Sequence, residues 1–187
     1  MGRAAPRAII DSMQTADTAP ARPQQPAKPW LRRALFWGAA LAVIGLDQLT
    51  KGLVRALLDR GESWPDTDWL LRIRYVTNTG AAFGILEDQT AFLIVTTLIG
   101  LAAIYLYYRY PPFEHGIVPV AIGMMLGGAL GNFIDRVRLG EVTDFIDLGW
   151  WPAFNVADSS ITIGIAVILL GYVFLWPGPK RPAHEDH

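Results

Sequence analysis

The sequence predicts an integral membrane protein, mainly α, with four transmembrane helices and a small extracytoplasmic β element. Three observations predict it. Of the 187 residues 52% are hydrophobic and the mean hydropathy is +0.28, too apolar for an average soluble domain. Four segments are long enough to cross a bilayer, which takes about 17–25 residues. Two stretches between them, one after the first and one after the third, run extended in the manner of strands.

Residues 1–29 are rich in Ala, Pro, Gln and Arg, without apolar periodicity, and read as a disordered extension. They contain no apolar core of the secretory kind. Residues 30–177 form the membrane-embedded domain, and 178–187 a cytoplasmic tail. The first span covers about 31–58 and is interrupted by Asp47 and Lys51. In the loop after it, Leu71-Arg72-Ile73-Arg74-Tyr75 alternates as a half-buried strand does, and Trp64 and Trp69 suit a membrane–water interface. The second span covers 90–108 and ends at Arg109.

The third span covers 116–134 and ends at Asp135-Arg136. Gly123, Gly127 and Gly131 recur every four residues along it. That spacing lets helices approach closely; packing is its plainer meaning, and room for a substrate backbone or acyl chain the other. Residues 142–148 form the second extended stretch, Trp150-Trp151-Pro152 closes it, and the fourth span covers 156–176. Four spans put both termini on one side. Lys28, Arg32, Arg33, Arg109, Lys180 and Arg181 make that side cytoplasmic, although Arg60, Arg72 and Arg74 weigh on the other.

A charge within a span is costly and marks a functional site by default. Asp47, Thr50 and Lys51 share a face of the first helix, and the acid-before-base order at i, i+4 suits an ion pair. Asn132, Asp135 and Arg136 repeat the spacing in the third. Asn155, Asp158, Ser159 and Thr162 form a stripe in the fourth. Because the first and third helices run outward and the fourth inward, all three clusters fall at one depth, near the outer leaflet. The stretch from Asn78 through Gly80 to Gly84, and the Asp144 stretch, join them there.

The net charge of −1 gives no pull toward nucleic acid, and the lack of cysteine removes thiol catalysis and thiolate metal sites. No His-Glu-x-x-His string exists, and the three histidines lie outside the spans, so neither a zinc protease helix nor a Ser–His pair is available. Paired aspartates remain. Two close carboxylates share one proton, so one stays protonated while the other activates water. Asp135, Asp144 and Asp158 compete for the two places. Chemistry leans toward Asp144 and Asp158, because Asp135 has Arg136 beside it, and leaves the choice open. Asp158 at a helix mouth also suits an N-cap, and Asp147, on the opposite face of the strand from Asp144, suits solvent.

Five ordered motifs over about residues 31–176 now resemble those of bacterial lipoprotein signal peptidase, signal peptidase II. They are Asp47-Gln48-Leu49-Thr50-Lys51, Asn78-Thr79-Gly80-Ala81-Ala82-Phe83, Gly127 through Arg136, Val142-Thr143-Asp144-Phe145, and Phe154-Asn155-Val156-Ala157-Asp158. The resemblance implies a four-span inner-membrane enzyme that removes the signal peptide from prolipoproteins whose cysteine already carries diacylglycerol. It implies Asp144 and Asp158 as the catalytic dyad. Asn132, Arg136 and Asn155 would line the site and hold substrate or orient the dyad, Asp47 and Lys51 would shape it, Asn78 and Gly80 would belong to a substrate-side loop, and Asp135 would support. No cofactor or metal is expected, and the partners are the lipidated prolipoprotein and membrane lipids, with the enzyme a monomer.

Two other classes predict different patterns. A proton-coupled carrier would spread ionisable groups over several depths and carry an inverted repeat; here they share one depth and no repeat is visible. A non-catalytic scaffold gains little from buried charges.

Overall fold

A computed structural model describes residues 28–66, 70–80, 90–111 and 115–175. The extension up to residue 27, the tail 178–187, Trp69 and the Ala81–Gly84 part of the second motif lie outside the described residues. Among the described residues four helices and three strands follow in the order α1 (Pro29–Leu57), β1 (Ser63–Trp64), β2 (Arg72–Asn78), α2 (Thr90–Arg109), α3 (Ile117–Leu139), β3 (Val142–Asp147) and α4 (Val156–Leu175).

Pro29 opens α1, where its missing N–H costs nothing. The helix buries Phe36, Ala40, Asp47, Lys51 and Val54 along one face. At one end of the bundle Phe36 packs with Val118 and Ile122 of α3, with Tyr108 of α2 and Ile168 of α4 beside them; the Phe36 and Tyr108 rings stack at 4.0 Å. At the other end Val54, Tyr75 and Phe145 form a second cluster against the sheet. Helices α1 and α3 therefore run from the first cluster toward the sheet, and α2 and α4 run back.

Helix α3 is central, and its glycines explain how. A Cβ on Gly127 would lie 2.6 Å from the Ala40 carbonyl of α1, and one on Gly128 would run into the Ala157 carbonyl of α4. Gly123 meets the Phe36 carbonyl, and Gly131 faces the Asp47 carboxylate. The space these residues leave is filled by neighbouring helices, which is the packing role of small residues in lipid, and not by room for a ligand.

Three helices, α2, α3 and α4, are long and apolar enough to cross a membrane by length and composition. Helix α1, at 29 residues, is long enough too, about 43 Å at 1.5 Å per residue. It differs in carrying Arg32, Arg33, Asp47, Lys51 and Arg55.

The sheet is antiparallel, in the order β1-β2-β3. Ile73 pairs with Ile146 and Val76 with Asp144, with an irregularity between the two pairs, and Asn78 ends opposite Val142. Asn78 is thus the diagonal neighbour of Asp144 on the same face, within side-chain reach. Gly140 turns α3 into β3 in the left-handed region (φ 78°), donating its N–H to the Arg136 carbonyl at 3.0 Å. After β3, the Ile146–Phe154 bridge returns the chain to the start of α4.

Candidate active site

The polar residues expected from the sequence meet where the sheet caps the bundle. Asp47 and Lys51, fully buried, form an ion pair at 2.9 Å across one helical turn. Lys51 also donates to Asn132 Oδ1 at 2.8 Å and lies 3.5 Å from Asp135. The second Asp47 oxygen reaches across the bundle and accepts the Ala157 N–H at 3.0 Å. One carboxylate therefore neutralises a cation on its own helix and satisfies an orphan donor in the first turn of another, where negative charge is favoured.

Asn155 caps α4. Its Oδ1 accepts the Asp158 N–H at 3.0 Å, and the Asp158 carboxylate accepts the Asn155 N–H at 3.2 Å. This reciprocal capping box has Asp at its third helical position. Asp158 thus serves the helix terminus as the capping box partner, while Asn155 holds the cap position itself. The other Asp158 oxygen accepts from Asn132 Nδ2 at 2.8 Å.

Asp144 sits in a strand whose first four residues, Val142 to Phe145, are all buried. Its Oδ1 accepts from Asn155 Nδ2 at 2.6 Å and its Oδ2 from Asn78 Nδ2 at 2.9 Å. Asn78 in turn accepts the Gly80 N–H at 3.0 Å, which places both residues of that motif beside the carboxylate. Burial first, and then the negative charge of Asp158, push the Asp144 carboxyl up from 3.8 to about 7, against the hydrogen bonds from Asn78 and Asn155 and the charge of Lys51. Asn155 donates to both carboxylates, through Nδ2 to Asp144 and through its backbone N–H to Asp158.

Arg136 lies within electrostatic reach of Asp158, Asp144 and Asp135. Its Nε is buried with no hydrogen-bond partner among the described residues. Asp135 takes its ion pairs from α1, with Lys51 and with Arg55, each at 3.5 Å, rather than from the adjacent Arg136. It also accepts the Thr143 N–H at 3.2 Å, which fixes the strand one residue before Asp144.

Three hydroxyls of the polar stripes stay out of this network. Thr50 donates to the Leu46 and Asp47 carbonyls, Ser159 to Asn155 and Thr162 to Asp158, all within their own helices. Three contributors went unforeseen. Gln48 bridges Asp47, the Gly131 carbonyl and Asp135 through Nε2, and Arg55 and Thr143 join at 2.9 Å. Arg55 stands four residues after Lys51, so the 47, 51, 55 row was visible; Thr143 carried no signal beyond adjacency to Asp144. The solvent reading of Asp147 is overturned. Its side chain is 8% exposed, accepts from Arg72 at 2.8 Å and from the Gly149 N–H at 2.8 Å, because β2 projects its arginines across the pair.

Residues 39–174 match the family described as signal peptidase (SPase) II. Similar proteins include the "Lipoprotein signal peptidase" of Syntrophotalea carbinolica, 44% identical over 138 residues that cover 70% of this chain and 86% of the relative. That of Caldanaerobacter subterraneus is 46% identical over 141 residues, covering 74% and 94%. A solved bacterial membrane enzyme, determined by the in meso method at 2.3 Å, superposes with a TM-score of 0.67 at 36% identity, covering 77% of this chain and 92% of its own. The family match spans well over half of the chain and takes in every residue of the network above. The chain belongs to the signal peptidase II family.

Proposed function

We propose that this chain is a membrane aspartic endopeptidase that removes the signal peptide from diacylglyceryl-modified prolipoproteins, cutting before the lipidated cysteine. One observation carries the reading: a strand and a helix start hold two carboxylates, the buried Asp144 and the half-buried Asp158, on the shared donor Asn155. The pair titrates as a unit and keeps one proton near neutrality. The ionised member takes a proton from water as the water oxygen bonds to the scissile carbonyl carbon. The protonated member polarises that carbonyl and then hands its proton to the cysteine nitrogen as the C–N bond breaks. Arg136, whose Nε has no partner among the described residues, holds a substrate carbonyl. Asn132 and Asn155 orient the dyad, the Asp47–Lys51–Asp135 cluster braces it, and Asn78 with Gly80 forms the substrate-side edge.

The reading takes α1 as a fourth span of the 30–177 domain. In support, Asp47 and Lys51 are wholly buried and paired, while Trp37, Leu41, Leu46, Leu49, Leu53 and Leu57 lie exposed as a lipid-facing surface requires. Four spans in alternating directions put both termini, including the extension 1–29 and the tail 178–187, in the cytoplasm. The dyad then lies near the outer leaflet of the bacterial inner membrane, with the enzyme working as a monomer among lipids.

The test is incubation of the purified protein with a diacylglyceryl-modified precursor and its unmodified twin. Cleavage of the lipidated one alone, abolished by Asp144→Asn and by Asp158→Asn in folded protein, is expected. Near wild-type processing by either variant would remove that aspartate from the dyad.

A further inference from the structure

Two carboxylates share a proton only while their separation is held, and here they stand on different parts of the fold. Asp144 belongs to strand β3, and Asp158 to the first turn of α4. Their spacing therefore depends on how the sheet is docked on the bundle. Beside Asp144 that docking converges on one residue, Thr143, which is 1% exposed. Its N–H donates to Asp135 Oδ2 of α3 at 3.2 Å. Its carbonyl accepts from Asn155 Nδ2 at 3.4 Å, the same amide that reaches Asp144 Oδ1 at 2.6 Å. Its hydroxyl oxygen accepts from Arg55 Nη1 of α1 at 2.9 Å. The chain leading into Asp144 is thus pinned from α1, from α3 and from the cap of α4.

Arg55 stands outside the five motifs. It closes the row 47, 51, 55 on α1, whose spacing of four puts all three residues on one face. The first two are fully buried, whereas the Arg55 side chain is 23% exposed. Its Nη1 lies 3.5 Å from Asp135 Oδ2, an oxygen that Lys51 Nζ also approaches at 3.5 Å. Asp135 therefore has a buried cation without Arg55. What a planar guanidinium adds is direction: one nitrogen faces both the Thr143 hydroxyl and the carboxylate that holds the Thr143 N–H. Thr143 and Asp144 point to opposite faces of the strand, so Arg55 meets β3 on the side away from the Asp144 carboxylate.

We propose that Arg55 is a positioning residue for Asp144, acting through Thr143. The proposal rests on the peptidase reading. A reacting group displaced slightly from its productive place loses rate steeply. Arg136 and the Asn78 edge, which that reading gives to the substrate, lie elsewhere, so loss of the clamp lowers turnover and leaves binding in place.

The test is kcat and KM on a lipidated peptide, for purified variants whose melting curves show a folded protein. Arg55→Met removes the guanidinium and keeps an aliphatic stem; Thr143→Val replaces the hydroxyl by a methyl of similar size. Each is expected to lower kcat about tenfold with KM unchanged, as loss of an interaction felt in the transition state does. Because both remove one contact, the double variant should be no slower than the slower single. Thr143→Ser, which keeps the hydroxyl, should turn over close to wild type. The proposal falls if Thr143→Val keeps wild-type kcat, if Thr143→Ser is as slow as Thr143→Val, or if the two losses multiply in the double variant. It falls too if Arg55→Met raises KM and leaves kcat alone. The two Thr143 variants decide it even where Arg55→Met does not fold. In all these outcomes wild type still cleaves and the peptidase reading stands. A wild type that cleaves no lipidated peptide takes both readings down.

Discussion

Replacing Asn155 by serine separates the cap of α4 from the hydrogen bond to Asp144. Serine caps helices about as well as asparagine, so the terminus of α4 is retained, while the melting temperature should fall because the buried amide's bonds to Asp144, Asn132 and the Thr143 carbonyl are lost. What serine lacks is the amide that reaches Asp144 Oδ1 at 2.6 Å. A hydrogen bond to an ionised acceptor contributes about 1.5–3 kcal/mol. The amide favours the charged form of Asp144, so its loss raises a pKa that already stands at about 7. At about 1.4 kcal/mol per pH unit the rise is about one to two pH units. Activity needs one proton on the pair and declines as that proton is lost with rising pH, so the alkaline limb of kcat/KM should move upward by that amount. The assay is kcat/KM against pH on a lipidated peptide in detergent. An alkaline limb that stays in place, or moves to lower pH, refutes the assignment of Asn155 as the donor that tunes the pair.

Lys51→Met removes the buried cation between Asp47 and Asp135 and should destabilise the fold by about 3–5 kcal/mol, the usual consequence of breaking a buried pair, seen as a lowered melting temperature; an unchanged melt would make the pair incidental. Gly127→Ala places a methyl 2.6 Å from the Ala40 carbonyl and 2.8 Å from Val43 Cβ, and should cost about 1–3 kcal/mol by separating α1 from α3. A chemical or thermal unfolding curve that overlays wild type would show the contact can relax. Arg72→Met strips buried Asp147 of its 2.8 Å partner and should cost about 1–3 kcal/mol in the same measurement; a loss much below that range would show that Arg74, 4.0 Å away, takes over.

Where a residue's partner lies on its own helix, the sequence was readable. The i, i+4 order of Asp47 and Lys51 announced an ion pair, and the four-residue row of glycines announced close helix contact. Helix direction also carried the larger inference that three polar clusters share one depth, and they meet in one network. The strands were visible as short extended stretches, except β1, whose two residues are too few to show a pattern. What stayed hidden depends on tertiary pairing. Asp147 looked open to solvent until β2 brought Arg72 across to it. Asp135 looked tied to Arg136, its neighbour in sequence, but on a helix adjacent residues point about 100° apart, and α1 supplies the partners instead. Asp158 read as a cap or as a catalytic acid; Asn155 holds the cap position itself, and the Asp158 oxygens accept from the Asn155 N–H and from Asn132.

The bond from Asp47 to the Ala157 N–H spans 110 positions of the chain. The carboxylate that satisfies the last helix is therefore synthesised long before the helix it satisfies, as are Lys51 and Asn78, which reach Asn132 and Asp144. A ribosome making this protein completes Asp47, Lys51 and Asn78 before Asp144 and Asp158, the two aspartates of the proposed dyad. A fragment that stops before α4 lacks Asp158, and one that begins at α3 holds both aspartates without Asp47, Lys51 and Asn78. The finished network draws on segments from α1 to α4, closed by the contact between Asp47 and Ala157.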